Sequence, residues 1–434
     1  MDAQAKDDVR SFGLGTGERA RALMAIAKIL MASLVDPATH PGGAGAYTRG
    51  LVAALRNGTD RFDVELVGPR QAPPGSWHRV RQALSLAQSC MSSLPAKVLF
   101  ARRHELRVRV REAVSSRRFN AVLINGADML WVRDELPPHL PTVVVAHNLE
   151  HQLLAQQLAA NRILSPLLSR EVAKHQWFEM DGFRRAGGVV FVSASEMAWA
   201  RARVPTLRAI HLPPLFTTCP FSRVPRSGGA LRLGYLADFS WWPNRENWSW
   251  LIEDVLSRVR RPLEVHVFGR GSERIAVREG VVRHGMVRDL ATVWSHADIM
   301  VCPTHVGAGV NIKLAESLHN RMPVLATTQA VGGLACASGP GIVVLDEAED
   351  WTAFLDSPGA EQLADQRPSE QLCGQFSVEQ HSGALQRFVR DILRGTNARN
   401  TFTGVPSPPA PSLLSAASVG SCNALLSRRH REGV

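Results

Sequence analysis

A lysine and a glutamate lie three residues apart in a segment that opens with two closely spaced glycines. The segment reads GAGVNIKLAESLHNRMPVLAT, and its charged pair is Lys313 and Glu316. Residues three apart share one face of a helix, so an internal salt bridge is one interpretation. The other is a binding site, in which the ammonium group contacts a phosphate and the carboxylate accepts hydrogen bonds from a sugar diol.

The position of the lysine in its predicted helix favours a binding site. Asn311 begins this helix shortly after the apolar strand ADIMVCP, and Gly309 in the loop between them allows a ligand to approach the backbone closely. In open α/β sheets, ligands lie beyond the carboxyl ends of the strands, where a helix N-terminus offers unpaired N–H groups. A lysine in the first turn opposes the helix dipole unless an anion is bound there.

The first half of the chain carries a second set of candidates. His147 follows the apolar run PTVVVA, and a neutral imidazole there can hydrogen-bond a sugar hydroxyl or steady a reacting centre. Glu150 belongs to the same turn and could cap it or orient His147, and a purely structural histidine is also open. Gly42 and Gly43 follow the first strand, where they either bring backbone N–H groups to a ligand or form a plain tight turn.

These candidates are held in a chain whose buried strands alternate with helices. Such alternation predicts parallel sheets covered on both faces, and a proline-rich joint divides it into two series. The predicted fold class is therefore α/β, with two doubly wound Rossmann-like domains that face each other across a cleft. The predicted parts are a flexible N-terminus at 1–24, a first domain at 25–212, a linker at 213–230, a second domain at 231–375, a helix at 376–394 that packs back toward the first domain, and a disordered tail at 395–434.

Composition narrows the classes of protein that fit. No run of about 18 uncharged apolar residues occurs, so no membrane-spanning helix is expected. The six cysteines are scattered and form no C-x-x-C pair, which argues for a reducing compartment and against a zinc site or a disulfide framework. We therefore expect a cytoplasmic protein.

The net charge of +11 favours an anionic partner. Much of the excess lies between Lys97 and Arg118, a stretch with eight basic residues and two acidic ones. This stretch either docks on an anionic membrane surface, at the inner face of the cell membrane, or is an ordinary solvated helix face. Nucleic acid is the weaker candidate, because base-stacking modules interleave aromatic residues with such charge and only Phe100 and Phe119 occur here.

The opening segment resembles the donor-binding signature of the retaining family 4 glycosyltransferases of GT-B fold, in particular their bacterial polysaccharide subgroup. The matching positions are Gly307, Gly309, Lys313, Glu316, Pro323, Val324, Thr327, Gly332, Gly333 and Leu334. Upstream, LGYLADFSWWPNRENWSWLIEDV and VRHGMVRDLATVWSHADIMVCP are similar to earlier blocks of the same domain. PGGAGAYTRGLVAAL and VVVAHNLEHQLL are similar to parts of the first domain, so that the resemblance covers roughly Lys28 to Leu393.

The resemblance implies that the second domain binds a nucleotide-sugar donor and that the first domain is the acceptor side. In this interpretation Lys313 holds the diphosphate, Glu316 holds the nucleotide ribose, and His147 acts at the reacting centre. Further donor contacts are expected from Gly42, Gly43, Arg245, Gly309 and Asn311. Ala308 replaces the first glutamate of the family's E-x7-E motif, so the segment argues for a nucleotide more firmly than for a sugar.

The implied activity is transfer of a sugar from a nucleoside-diphosphate sugar to a lipid-linked or other saccharide acceptor, with retention, during synthesis of a bacterial surface polysaccharide. No D-x-D motif lies between a strand and a loop, and enzymes of this type generally need no metal ion, so no cofactor is expected. Two alternatives stay open: a GT-B-like sugar-nucleotide epimerase, which needs no acceptor pocket, and a degenerate GT-B domain that serves as a non-catalytic partner subunit. A Rossmann dehydrogenase is disfavoured, because FGRGS is a lone G-x-G.

Overall fold

The structure is a computed structural model, and it describes most of the chain between residues 26 and 400. The described residues are 26–38, 40, 42–69, 77–159, 165–226, 229–276, 278–306, 310–332, 334 and 339–400. The predicted flexible N-terminus at 1–24 lies outside them, as does the part of the predicted tail at 401–434. Gly309 and Ala308 of the opening segment also lie outside the described residues.

Two parallel sheets of six strands form the frame of the protein. The first has the order β2-β1-β3-β4-β5-β6, and the second has the order β12-β11-β10-β7-β8-β9. The strands of the first sheet are β1 Lys28–Ser33, β2 Asp63–Val67, β3 Ala121–Asn125, β4 Thr142–Ala146, β5 Gly188–Phe191 and β6 Ala209–His211. Those of the second are β7 Leu231–Leu236, β8 Leu263–Phe268, β9 Val281–Gly285, β10 Ile299–Cys302, β11 Val324–Ala326 and β12 Ile342–Val344.

Helices cover both sheets. In the first half they are α1 Gly43–Arg56, α2 Trp77–Cys90, α3 Ala96–Ala101, α4 His104–Ser116, α5 Glu150–Ala159, α6 Ser165–Arg185 and α7 Ala194–Arg203. In the second half they are α8 Trp242–Trp250, α9 Ala291–His296, α10 Ile312–His319, α11 Thr328–Val331, α12 Ala348–Asp356, α13 Pro358–Asp365, α14 Glu370–Gly374 and α15 Val378–Asn400. Short 3-10 helices lie at Ala127–Glu135 and Ser272–Arg274, and a π-helical segment at Leu251–Leu256.

Each sheet has an apolar core on both faces. Along β1, Leu30 packs in the core of one face and Ile29 in the core of the other, because successive side chains of a strand point to opposite sides. In the second sheet, Met300 and Val301 of β10 divide in the same way. This two-sided burial explains the near-continuous apolar strands of the sequence and confirms the predicted pair of doubly wound layers.

The last helix, α15, follows the second sheet in sequence but packs on elements of the first. Gln386 Nε2 donates to the Ala54 carbonyl at 2.8 Å and to the Asn57 carbonyl at 2.7 Å. On the other side, a Cβ added to Gly188 would lie 2.5 Å from Ile392 Cδ1, so a glycine is needed where α15 crosses β5. The helix continues to Asn400, beyond the predicted end at 394, because no proline interrupts its hydrogen-bond ladder there.

Candidate active site

The start of α10 lies at the carboxyl end of β10, as the sequence predicted. Asn311 is the N-cap, and its side-chain oxygen accepts a hydrogen bond from Leu314 N at 3.3 Å. Its amide nitrogen donates to Thr304 Oγ1 at 2.9 Å, which ties the cap to the loop that follows β10. Asn311 therefore sets where α10 begins, a structural role besides any contact to a ligand.

Lys313 is a half-buried cation in the first turn of this helix. Its Nζ donates to Asn244 Oδ1 at 3.0 Å and lies 5.3 Å from the centre of the Tyr235 ring. Burial lowers the pKa of the ammonium group, and among the described residues no carboxylate pairs with it. The internal Lys313–Glu316 salt bridge is therefore the wrong interpretation, and the lysine is placed as it would be for an anion that comes from outside the chain.

Glu316 lies one turn further along the same helix. Its side chain is only 7% exposed, and burial raises its pKa to about 7, against a smaller opposing effect of the Arg49 charge. Within the described part of the chain its carboxylate accepts no hydrogen bond. A largely desolvated acceptor without a partner among the described residues suits two hydroxyl donors such as a ribose diol.

Two asparagines of α8 contact the start of α10 and the loop that precedes it. Asn244 accepts the hydrogen bond from Lys313, and Asn247 accepts hydrogen bonds from His305 N at 3.0 Å and Val306 N at 3.2 Å. Neither asparagine is among the site residues predicted from the sequence, although their spacing of three in PNREN places them on one helix face. Arg245, which was selected instead, is exposed between them and donates to the Phe239 carbonyl at 2.8 Å.

The glycine loop of the first domain meets α10 across the cleft. A Cβ added to Gly43 would lie 3.2 Å from Ile312 Cβ, so the first residues of α1 and α10 are in close approach. Gly42 is the N-cap of α1, and its N–H donates to His40 Nδ1 at 3.2 Å. Two helix N-termini thus direct their positive ends to one place, an arrangement that suits an anion.

His147 occupies the first position after β4. Its Nε2 lies 2.8 Å from Asn125 Oδ1, and its ring packs edge-on against Tyr47 with centroids 4.9 Å apart. Burial lowers the pKa of His147 to about 4, with a smaller opposing contribution from the charge of Glu150. The imidazole is therefore neutral at physiological pH, as the proposed hydrogen-bonding role requires.

Glu150 does not orient His147, which was one of the open alternatives. Its carboxylate contacts Lys97 Nζ at 2.5 Å, and the same ammonium contacts Asp128 at 2.8 Å. The turn after His147 is instead fixed by a carboxylate from another helix. Glu179 accepts hydrogen bonds from the backbone N–H of Glu150 at 2.7 Å and of His151 at 3.3 Å, and so caps α5.

The basic stretch between Lys97 and Arg118 is largely neutralised within the protein. Three arginines converge on the Glu135 carboxylate, which is almost fully buried; they are Arg102, Arg107 and Arg111. Further along, Arg117 pairs with Glu65, and Arg109 donates to the Gly68 carbonyl. Most of these charges are therefore spent on internal contacts, which favours the structural interpretation of this stretch over a free membrane-binding face.

The described residues contain neither a metal-binding group of side chains nor a membrane-spanning helix. None of their His, Cys, Asp and Glu side chains form a group of three or more that could hold a metal ion. In the same part of the chain, no helix is long and apolar enough to cross a membrane.

In comparison with known proteins, the second domain matches a sequence family, and most of the chain matches solved structures in fold. Residues 230–357 match the family model described as Glycosyl transferases group 1. This range contains Asn244, Lys313 and Glu316. No curated protein matches the chain in sequence.

Solved structures extend the likeness to both domains. Sucrose-phosphate synthase from Thermosynechococcus elongatus is 13% identical, with a TM-score of 0.55 over 85% of this chain and 100% of the other. HepE from Anabaena, in complex with UDP and glucose, is 14% identical, with a TM-score of 0.56 over 84% and 99%. The fold is GT-B. At these identities the structures show the fold alone, and the predicted fold class is confirmed.

Proposed function

We propose that the protein is a retaining glycosyltransferase of family 4. In this proposal it moves a hexosyl unit from a nucleoside-diphosphate sugar to a lipid-linked or other saccharide acceptor. The setting we propose is synthesis of a bacterial exopolysaccharide, capsule or lipopolysaccharide, at the inner face of the cell membrane. The family match over residues 230–357 supports the transferase class.

One observation carries the proposal. Lys313 is half-buried without a carboxylate partner among the described residues, and three positions away the buried side chain of Glu316 has no hydrogen-bond partner among them either. A cation beside an acceptor for hydroxyl donors is complementary to a diphosphate joined to a ribose. A purely structural helix gains nothing from this pair, since withdrawing an ammonium group from water with only an amide oxygen as its partner destabilises the fold.

In the proposed reaction, Lys313 and Glu316 contact the departing nucleotide, and His147 contacts the sugar at the reacting centre. The bond between the anomeric carbon and the diphosphate oxygen breaks, and a bond to the acceptor oxygen forms on the same face. Lys313 and the N-terminus of α10 stabilise the charge that develops on the departing diphosphate, which takes up the proton of the acceptor hydroxyl. Neutral His147 accepts a hydrogen bond from a sugar hydroxyl and orients the reacting centre.

The donor base is proposed from structural neighbours. HepE has been solved with UDP-glucose, at 14% identity and a TM-score of 0.53 over 86% of this chain and 99% of the other. UDP-glucose is therefore the first probe to use. That no metal is needed remains a prediction, and adding EDTA to the assay tests it.

The experiment is an assay for release of free nucleoside diphosphate. Purified protein is incubated with a panel of nucleotide sugars, with and without a lipid extract from a bacterium that makes surface polysaccharide. Release that requires the lipid extract supports transfer to a lipid-linked acceptor, and Lys313→Met should abolish it. The proposal is overturned if calorimetry detects no binding of any nucleotide sugar.

The same assay separates the two alternatives. An epimerase would convert the nucleotide sugar, as seen by NMR of the sugar anomeric proton, without releasing nucleoside diphosphate. A non-catalytic partner subunit would bind the nucleotide, or nothing, and show neither conversion nor release with any acceptor. Ala308, in place of a carboxylate, is the residue that keeps this last alternative open.

A further inference from the structure

Helix α2 carries its apolar residues on the solvent side. Val80, Leu84 and Met91, which directly follows the helix, are 48%, 56% and 94% exposed. Their spacing of four places Val80 and Leu84 on one stripe of the helix, and Met91 lies exposed in the turn that ends it. The opposite face carries Ser85 and Ser89, both buried, whereas a helix that packs only on its own protein buries the apolar stripe.

Polar contacts fix this inverted orientation. The Ser89 hydroxyl contacts the Glu171 carboxylate and accepts a hydrogen bond from Lys174 Nζ at 2.8 Å. The Ser85 hydroxyl donates to the Arg81 carbonyl at 2.9 Å. Because Glu171 and Lys174 belong to α6, the helix cannot rotate to bury its stripe without leaving these groups unsatisfied.

A tryptophan and an arginine lie beside Met91 at the end of the helix, and two further arginines lie together near its beginning. Trp177 of α6 is 58% exposed, and with Met91 and Arg170 it lines a surface cavity of about 600 Å³. The guanidinium groups of Arg81 and Arg103 lie 4.8 and 5.8 Å from the centre of one ring, that of Phe100. Among the described residues, no carboxylate pairs with Arg81, Arg103 or Arg170. Aliphatic side chains, an exposed tryptophan and unneutralised arginines are the combination that binds lipid interfaces.

We propose that this surface docks on an anionic lipid bilayer. It consists of Val80, Leu84, Met91 and Trp177 with these three arginines, and we call it the α2 surface. It differs from the predicted stretch at 97–118, of which only Arg103 contributes. The biological role of this docking rests on the proposed function, because docking there brings the first domain to a lipid-linked acceptor.

The test is co-sedimentation with vesicles, which requires neither donor nor acceptor, so it can fail while the transferase activity stands. The full chain should bind vesicles of phosphatidylglycerol and phosphatidylcholine and bind pure phosphatidylcholine more weakly. Leu84→Ser with Met91→Ser should lower the partition coefficient about tenfold or more. Val224→Ser removes an apolar residue that is 42% exposed in the segment between the sheets and should leave binding unchanged.

Three results would overturn the docking proposal. One is equal binding to both kinds of vesicle, which would remove the role of the arginines. Another is unchanged binding of the double variant. The third is a dimer in sedimentation velocity that the double variant dissociates, which would make the α2 surface a contact between two copies of the chain.

A separate observation concerns the protons around His147. The Ser33 hydroxyl donates to the Val35 carbonyl at 2.7 Å, and the Thr48 hydroxyl donates to the Ala44 carbonyl at 2.7 Å. Both hydroxyl oxygens then accept from the amide nitrogen of Asn125, each at 3.0 Å. The side-chain oxygen of Asn125 is thereby turned to His147, and it can only accept.

We infer that Asn125 is a positioning residue that fixes the tautomer of His147. Because Asn125 Oδ1 accepts, the proton of the neutral imidazole lies on Nε2, 2.8 Å away. Nδ1 then carries a lone pair and makes no hydrogen bond among the described residues. Under the proposed function, this lone pair is the acceptor for a sugar hydroxyl, and a ring with its proton on Nδ1 could not serve.

The test combines nitrogen NMR with kinetics. In the folded wild type, ¹⁵N shifts of His147 should report a proton on Nε2 at neutral pH. Asn125→Leu should mix the tautomers and lower kcat about tenfold, with the KM for the donor within about twofold. Asn125→Asp keeps the acceptor and the shape but adds a charge, so it should keep the tautomer and raise the pKa of His147.

The NMR measurement does not depend on the reaction, so the assignment can be judged even if the proposed function fails. Should Asn125→Leu not fold, Asn125→Asp carries the test through the pKa of His147. Ser33→Ala is the matched control, because it removes one acceptor of the Asn125 amide and leaves Thr48 to hold its orientation. A proton on Nδ1 in the wild type, or unchanged shifts in both Asn125 variants, would overturn the inference.

Discussion

The His147 turn and the start of α10 both place ionisable groups at the carboxyl edge of a parallel sheet, but the protein satisfies only the first set. His147 has Asn125 as a partner, and the turn after it is capped by Glu179. Lys313 has a single amide oxygen, and the Glu316 carboxylate has no partner among the described residues. Under the proposed function, the acceptor side is thus held in place by the chain itself, whereas the donor side has groups that only a ligand would pair.

This difference indicates which interactions hold each half of the site in place. On the acceptor side, hydrogen bonds within the chain fix the imidazole before any substrate arrives. On the proposed donor side, a half-buried ammonium group and a buried carboxyl without a charged partner among the described residues weaken the fold, and a bound diphosphate and diol would remove this cost. Donor binding should therefore stabilise the protein strongly, and variants on the two sides should behave in opposite ways.

The largest expected effect is that of Lys313→Met. Affinity for UDP-glucose should fall about 100-fold, which corresponds to the loss of charged hydrogen bonds to the diphosphate. The free energy of unfolding of the ligand-free protein should hold or rise, because the variant removes a half-buried cation that has no carboxylate partner among the described residues. Calorimetry and urea denaturation measure the two quantities.

Lys174→Met is the matched control for that prediction. Lys174 is largely buried, and its Nζ lies 3.0 Å from the Glu171 carboxylate. Its loss should leave Glu171 unpaired, lower the free energy of unfolding and spare UDP-glucose binding. The comparison breaks down if the two lysine variants destabilise the protein equally and both bind the donor.

A smaller effect is expected on the acceptor side from His147→Ala. Turnover should fall about 10- to 100-fold, the range for loss of one hydrogen bond made to the reacting sugar, while the KM for the donor changes little. Initial rates of nucleoside diphosphate release measure both. A donor KM that rises as much as kcat falls would make His147 a donor-binding residue and remove the distinction between the two sides.

The Glu316→Gln variant sharpens the comparison through pH. The folded pKa of Glu316, about 7, lies above the unfolded value of 4.5, so ionisation of Glu316 weakens the fold progressively as pH rises from 4.5 to 7. Binding of a diol favours the ionised form, so affinity for UDP-glucose should fall toward about tenfold per unit as pH drops below 7. UDP-glucose is the probe because its diphosphate does not titrate in this range.

In Glu316→Gln this pH dependence should be flat. Glu196→Gln is the control, because burial also raises the pKa of Glu196 to about 7 but the residue lies on α7 in the first domain. Calorimetric titrations above and below neutral pH measure the affinity of each variant for UDP-glucose. Equal pH dependence in the Glu316→Gln variant and the wild-type protein would show that Glu316 does not contact the ribose.

The smallest effect is expected at the far end of α10. Arg321 has φ of 58°, in the left-handed region that favours glycine, and its ion pair with Glu370 is largely exposed. Arg321→Gly should raise the free energy of unfolding by about 1 kcal/mol, whereas Arg321→Ala should give no gain. Urea denaturation of both variants measures the free energy of unfolding. Equal stabilities would show that the backbone holds no strain at the end of α10.

Sequence reasoning reached the charged residues of the site but not the amides that hold them. Lys313, Glu316 and His147 each follow a predicted strand, and that position together with the family resemblance selects them. Asn125, Asn244 and Asn247 look like ordinary turn or helix residues in sequence. Their roles depend on partners that are 22, 69 and 58 positions away, and no local pattern reports such contacts.

The sequence by itself determined the two series of buried strands and the place of the site at their carboxyl ends. It could do so because periodicity and turn residues are local properties of the chain. Only the tertiary structure decided that Lys313 has no carboxylate partner among the described residues, that Asn125 sets the proton of His147, and that α2 turns its apolar stripe outward. Each of these depends on which distant groups meet in the fold, and burial, pKa and proton position follow from that meeting.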